Sequence, residues 1–192
     1  MDVLSLLALM REDVATARRR DPAATSVIEV ALTYPGVHAV WGYRLAHALW
    51  LKDNKLAARI VSAITRMRTG VDIHPGAHIG RRLFIDHANG VVIGETTEIG
   101  TDCVLFHQVT LGGVAMTPGK RHPTLGDHVM VGAGAKVLGP ITIGSHAKVA
   151  ANAVCVKDVP AGCVAIGVPA QLKTTTPKQR EQDLIIDPSL YI

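Results

Sequence analysis

From residue 73 onward an aliphatic side chain recurs at every sixth position: Ile73, Ile79, Ile85, Val91. The phase slips by two and resumes with Ile93, Ile99, Leu105 and Leu111. After a longer break it continues through Leu125, Val131, Val137, Ile143, Val149 and Cys155. The next position is often glycine, as at Gly80, Gly100, Gly126 and Gly144, and four positions on comes a small or apolar residue such as Ala77, Cys103, Ala135 or Ala153. A helix repeats near 3.6 residues and a strand near 2, so neither explains a period of six. A short strand followed by a tight turn does. Three such units form a triangular coil, with the aliphatic pointing inward on each face and the small residue at the corner. Coils stacked about 4.8 Å apart would pair as parallel strands.

The chain before Val71 follows another rhythm. Leu6-Leu7, Met10 and Val14, then Val37, Val40-Trp41, Leu45 and Leu49, then Leu56, Ile60, Ile64 and Met67 fall at helical spacing. Breaks stand at Asp21-Pro22, Tyr34-Pro35-Gly36 and Lys52-Asp53-Asn54, and Thr69-Gly70 reads as a helix stop. The expected organisation is a helical cap or oligomerisation region over 1–70, a coiled β domain over 71–170 with a loop at 113–124, and a flexible polar tail over 171–192. The run Arg18-Arg19-Arg20 reads more readily as a solvated helix end than as an anion site.

Composition narrows the classes. Aromatics are only 4% of the 192 residues, which suits a narrow interior filled by Ile, Val, Leu and Ala. No apolar run approaches the roughly 18 residues of a membrane span. The opening residues lack the basic segment of a signal peptide, so the expected compartment is the cytoplasm. Three cysteines make no disulfide framework and fit no zinc spacing, so no metal is expected. A net charge of +4 suits a small anionic ligand, and no interleaving of aromatic and basic residues favours nucleic acid.

The chemistry should gather at the breaks in the period. Loop 113–124 carries Lys120, Arg121 and His122. His87 precedes the slip, and Asp72 stands nearly one coil below it. A carboxylate on one imidazole nitrogen raises the basicity of the other, so Asp72 and His87 can form a general-base dyad. His107, one coil plus the slip further on, is a rival base. His128 and His146, one full coil apart, should stack as a surface ladder. Cys103 and Cys155 occupy inward positions and argue against a covalent acyl-enzyme.

Asp72-Ile73-His74-Pro75-Gly76, Asp86-His87-Ala88-Asn89-Gly90, Val109-Thr110-Leu111-Gly112-Gly113, Lys120-Arg121-His122-Pro123 and Val131-Gly132-Ala133-Gly134-Ala135-Lys136 together resemble the serine O-acetyltransferases, hexapeptide-repeat acyltransferases. The likeness runs from about Arg20 to Ala170. It implies a left-handed parallel β-helix behind an α-helical cap, an α+β fold whose hand departs from the usual right-handed crossover. It implies acetyl transfer from acetyl-CoA, a co-substrate rather than a resident cofactor, to L-serine for cysteine biosynthesis. His87 would be the base with Asp72 orienting it. Arg121 and His122 would hold the serine carboxylate, and Asp21 and Asp86 its ammonium. Gly112, Gly113, Ala133 and Gly134 would line the pantetheine arm and offer backbone N–H groups to a developing oxyanion, and Lys148 would face the phosphates. The resemblance further implies a homotrimer or dimer of trimers, feedback inhibition by L-cysteine, and capture of O-acetylserine sulfhydrylase through Ile192. The cap is short beside longer relatives, and Asn89 stands where Thr is commoner. The alternatives are a hexapeptide acetyltransferase for a sugar or antibiotic, a zinc β-helix of the γ-carbonic anhydrase type using His87, His107 and His122, and a non-catalytic scaffold.

Overall fold

The computed structural model describes residues 3–174. Helices come first: α1 (Val3–Arg20), α2 (Val27–Thr33), α3 (Pro35–Leu51) and α4 (Lys55–Thr69). Their ends fall at the breaks read from the sequence. α2 is too short to show a period, and its signal is the capping box of Ser26 and Glu29. Pro35 opens α3 and Asn54 caps α4.

Short strands follow and form the three faces of a left-handed parallel β-helix. The first face stacks β1 (Asp72–Ile73), β4 (Val92–Ile93), β7 (Thr110–Gly112), β10 (Lys136–Leu138) and β13 (Val154–Cys155). The second stacks β2 (His78–Ile79), β5 (Glu98–Ile99), β8 (Thr124–Leu125) and β11 (Thr142–Ile143). The third stacks β3 (Phe84–Ile85), β6 (Val104–Leu105), β9 (Met130–Val131), β12 (Lys148–Val149), β14 (Cys163–Ile166) and β15 (Gln171–Thr174). On the first face the register runs Asp72, Val92, Thr110, Lys136, Val154. The steps from Val92 to Thr110 and from Lys136 to Val154 are regular, three six-residue units each. The step from Asp72 to Val92 is lengthened by the slip at 86–91, and the step from Thr110 to Lys136 by the loop at 113–124.

The periodic aliphatics fill the interior, where Ile93, Leu105, Leu111, Leu125 and Ile143 are fully buried. Rings stay outside. Phe84, Val104 and Met130 project from the third face and pack against Val14, Ala17, Val30 and Val37 of the helices. A solenoid must seal its exposed end. Here Ala39, Val40 and Tyr43 of α3 join the core of the first coil, and the Tyr43 hydroxyl donates to the Ala77 carbonyl at 2.7 Å. α1 is anchored by a buried bidentate pair of Arg44 and Asp13 (2.6 and 2.7 Å) and by Glu12 against Arg81 and Arg82. At the other end the chain reverses. Gln171–Thr174, expected at the head of a flexible tail, instead form a strand antiparallel to β14, because a hairpin covers the last open edge. Ile192 lies outside the described residues.

Candidate active site

The corner between the third and first faces holds the slip. His87 and Ala88 both take left-handed backbone there (φ 56° and 48°), and this turns the His87 ring outward, 73% exposed. Beside it opens a cavity of about 500 Å³ lined by Arg19, Arg20, Asp21, Asp86, His87, His107 and Ala133 above a floor of Phe84, Val104, Phe106 and Met130. Of the expected site residues, Asp21, Asp86, His87 and Ala133 therefore meet in one place. Arg18 and Arg19 are exposed, as expected of a solvated helix end, while Arg19 and Arg20 also border the cavity and Arg20 donates to the Asp102 carbonyl at 3.3 Å.

Asp21 sits where α1 ends, and its position is fixed from two sides. One oxygen accepts from the Ala23 N–H (2.8 Å) and the other from the Tyr34 hydroxyl (2.6 Å). That bond to Asp21 pushes the Tyr34 phenol up to about 12. The sequence marks Tyr34 only as part of a helix break, and no spacing signal points to its bond with Asp21. Asp86 is half-buried. Burial pushes its carboxyl above the usual range, and the neighbouring His87 and His107 rings partly oppose this. Its Oδ2 lies 3.8 Å from His87 Nε2. The His107 ring stands edge-on to His87, with centroids 5.9 Å apart.

Asp72 is elsewhere. Its carboxylate pairs with Arg66 of α4 at 3.1 Å, and among the described residues no bond joins it to His87. The expected dyad is not made in this conformation, because α4 brings a guanidinium to Asp72 that the six-residue pattern could not reveal.

Arg121 and His122 occupy the corner between the first and second faces, one whole face away from His87 in the path of the chain. Arg121 pairs with Glu95 at 2.5 Å and holds that carboxyl below its usual range. Lys120 pairs with Glu98 at 2.9 Å and donates to the Thr96 carbonyl. The His122 ring is buried, which lowers its basicity, and its Nδ1 meets the Thr96 N–H and hydroxyl. The ring lies where a Cβ on Gly94 would be, so that position must be glycine. One chain thus does not bring His87, His107 and His122 together, and among the described residues no group of three or more metal-ligating side chains occurs. His128 and His146 stack with ring centroids 4.7 Å apart. Gly112 is in β7, Gly113 begins the loop, and Lys148 is in β12 above Met130. The Gly134 N–H is not free for an oxyanion; it donates to the His107 carbonyl at 2.9 Å as part of the coil stacking.

A shallower cleft of about 570 Å³ runs between α3 and the second face, but its Arg44 is already paired with Asp13. No helix among the described residues is long and apolar enough to cross a membrane.

Residues 122–157 match the bacterial transferase hexapeptide (six repeats) family. The chain is 60% identical over 167 residues to the serine acetyltransferase of Mycobacterium tuberculosis, covering 87% of this chain and 73% of that protein. The chain belongs to the serine acetyltransferase family. Solved members share the architecture. The enzyme of Neisseria gonorrhoeae in complex with serine superposes with a TM-score of 0.85 at 40% identity, over 90% of this chain and 70% of that one. A serine acetyltransferase in complex with cysteine gives 0.87 at 40% identity (90% and 71%). One in complex with CoA gives 0.83 at 38% identity (89% and 70%).

Proposed function

We propose that the chain transfers the acetyl group of acetyl-CoA to the hydroxyl of L-serine, with His87 as general base. The observation that carries this reading is the meeting of His87 with Asp21 and Asp86 at one cavity. A neutral hydroxyl is a weak nucleophile, and His87 Nε2 faces the acidic side of the cavity, where it can take the proton. Asp21 and Asp86 hold the ammonium. The bond to Tyr34 keeps Asp21 in place before substrate arrives. Asp72 orients the imidazole after leaving Arg66, a partner it can exchange cheaply because the pair is largely solvated.

In this proposal Arg121 and His122 hold the serine carboxylate, and they come from a second copy. The loop corner of one chain meets the His87 corner of the next. Three features support that assembly. The two corners border the same face. That face exposes Val92, and Val156 just beyond β13, whereas the second face is polar (His78, Glu98, Thr124, Thr142) and the third lies largely under helices. α4 adds exposed Leu56, Ile60, Ile64 and Met67 beside β1. A closed ring of three, or two such rings, satisfies a contact between unlike corners. The pantetheine arm runs past Gly112, Gly113, Ala133 and Gly134 with Lys148 toward the phosphates. L-cysteine, which has the shape of serine, competes at the same place. The capture of a sulfhydrylase through Ile192 belongs to the same proposal.

The deciding experiment follows thiol release from acetyl-CoA with L-serine, hexoses and aminoglycosides as acceptors. We expect release that depends on L-serine and is inhibited competitively by L-cysteine. Turnover with a sugar and none with L-serine overturns the reading.

A further inference from the structure

The segment Asp72-Ile73-His74-Pro75-Gly76 carries an imidazole that the proposed reaction does not use. His74 follows β1 directly, at the corner between the first and second faces, and its N–H bonds the Ile93 carbonyl at 2.9 Å, one coil on. The pairing of β1 with β4 therefore sets it beside Gly94 and Glu95, at the corner that holds Arg121 and His122.

The backbone fixes the proton on this ring. The Gly76 N–H donates to His74 Nδ1 at 3.0 Å, so Nδ1 keeps its lone pair and the ring's one proton is assigned to Nε2. Burial lowers the basicity of the ring, and Arg59 of α4 and Arg121 add to this against Glu95 and Asp72. His74 is thus a neutral donor, and it cannot become a cation without giving up the Gly76 bond.

Glu95 stands within reach of that donor. The point where a side chain on Gly76 would begin lies 3.1 Å from His74 Nδ1 and 3.2 Å from Glu95 Cγ, so the two side chains share the space that the glycine leaves empty. Trp50 borders the same point at 3.3 Å and meets the imidazole at 80°, which walls the ring in from the cap. A cavity of about 370 Å³ opens beside Gly76, Glu95 and Lys120 and gives the Glu95 chain room to turn. In the empty chain that carboxylate belongs to Arg121.

We propose that His74 is a positioning residue whose Nε2–H takes over the Glu95 carboxylate when Arg121 leaves it for the carboxylate of the acceptor. The inference rests on the acetyl transfer proposed above. Without a second donor, the released carboxylate would be left unpaired in a partly buried place, and that cost would oppose binding. A neutral donor suits the exchange. A guanidinium fork outcompetes it, so Arg121 keeps Glu95 until an acceptor arrives, and the handover needs no proton from solvent. Because the exchange accompanies binding and not the chemical step, its loss falls on KM.

The test is a double-mutant cycle of H74N and E95Q, read by steady-state kinetics. An asparagine amide keeps an acceptor near the place of Nδ1 for the Gly76 N–H but stops short of Nε2. H74N should raise the serine KM about fivefold, the scale of one net hydrogen bond, with kcat and the acetyl-CoA KM unchanged. In the E95Q background no carboxylate needs a new partner, so adding H74N should leave the serine KM where E95Q sets it. Thermal melts establish that each variant is folded. If H74N is not, H74F, which keeps a ring against Trp50, runs the same cycle. H74N at the parent's serine KM overturns the proposal. So does an equal rise in the E95Q background, which marks a merely structural role, or a loss that falls on kcat. A parent without serine-dependent turnover sinks the proposed function itself, whereas an active parent with an additive cycle sinks only this inference.

Discussion

The two interrupted corners of the prism are built in opposite ways. At the His87 corner a short slip pushes an imidazole outward and leaves a cavity whose acids face open space. At the Arg121 corner the longer excursion folds back, and Lys120 and Arg121 are tied to Glu98 and Glu95. At the open corner Tyr34 already holds Asp21, while Asp72 is still paired with Arg66. At the closed corner the proposed grip on a carboxylate requires Arg121 to give up Glu95. Here the short insertion leaves a cavity, whereas the long one folds back onto carboxylates of the neighbouring coil.

Removing the group on the open side should have the largest effect. H87A should lower kcat about a thousandfold or more, the scale of a lost general base. The acetyl-CoA KM and the melting temperature should hardly move, because the ring is exposed and packs against little. Steady-state kinetics with a thermal melt checks both halves.

The next largest effect belongs to the closed side. R121A should raise the serine KM about a hundredfold, as expected when a charged, forked donor to a carboxylate is lost. It should leave kcat nearly intact, since this grip is the same in ground and transition states. A kcat loss without a KM change would place Arg121 at the reacting atoms instead.

The smallest effect sharpens the contrast. Arg121 holds the Glu95 carboxyl below its usual range, so the tether is fully present above the ordinary carboxylate range and is lost as pH falls through the depressed value. Protection of the amides in residues 113–120, taken relative to the intrinsic exchange rate at each pH, should therefore fall in acid. E95Q should show that lower protection already at neutral pH, together with a serine KM lowered a few-fold, because Arg121 no longer has to leave a partner. Unchanged exchange in E95Q would show that the loop is held by something other than this pair.

Much of this architecture could be read from the chain because one aliphatic per face is a local rule. Ile93, Leu105 and Leu125 each declare their orientation without reference to distant residues. His87 and loop 113–124 stood out as departures from that rule. Contacts between the helices and the coils had no such signature. Tyr34 on Asp21, Arg66 on Asp72 and Glu95 on Arg121 join positions at unrelated separations, and nothing periodic links them. The Gly134 amide departs from expectation for a different reason. A glycine-rich corner looks open in sequence, but the stack consumes its N–H.

The regular coil-to-coil steps between paired strands also act as a ruler for the chemistry. Deleting one hexapeptide from a regular coil would keep every aliphatic pointing inward and leave the fold content. It would also rotate everything above by one third of a turn, carrying Ala133 and Lys148 onto a different edge from His87. Deleting a whole coil would restore the alignment but shorten the track along which a long, thin co-substrate can lie. The repeat thus tolerates evolutionary change only in whole turns wherever an extended ligand must span several of them.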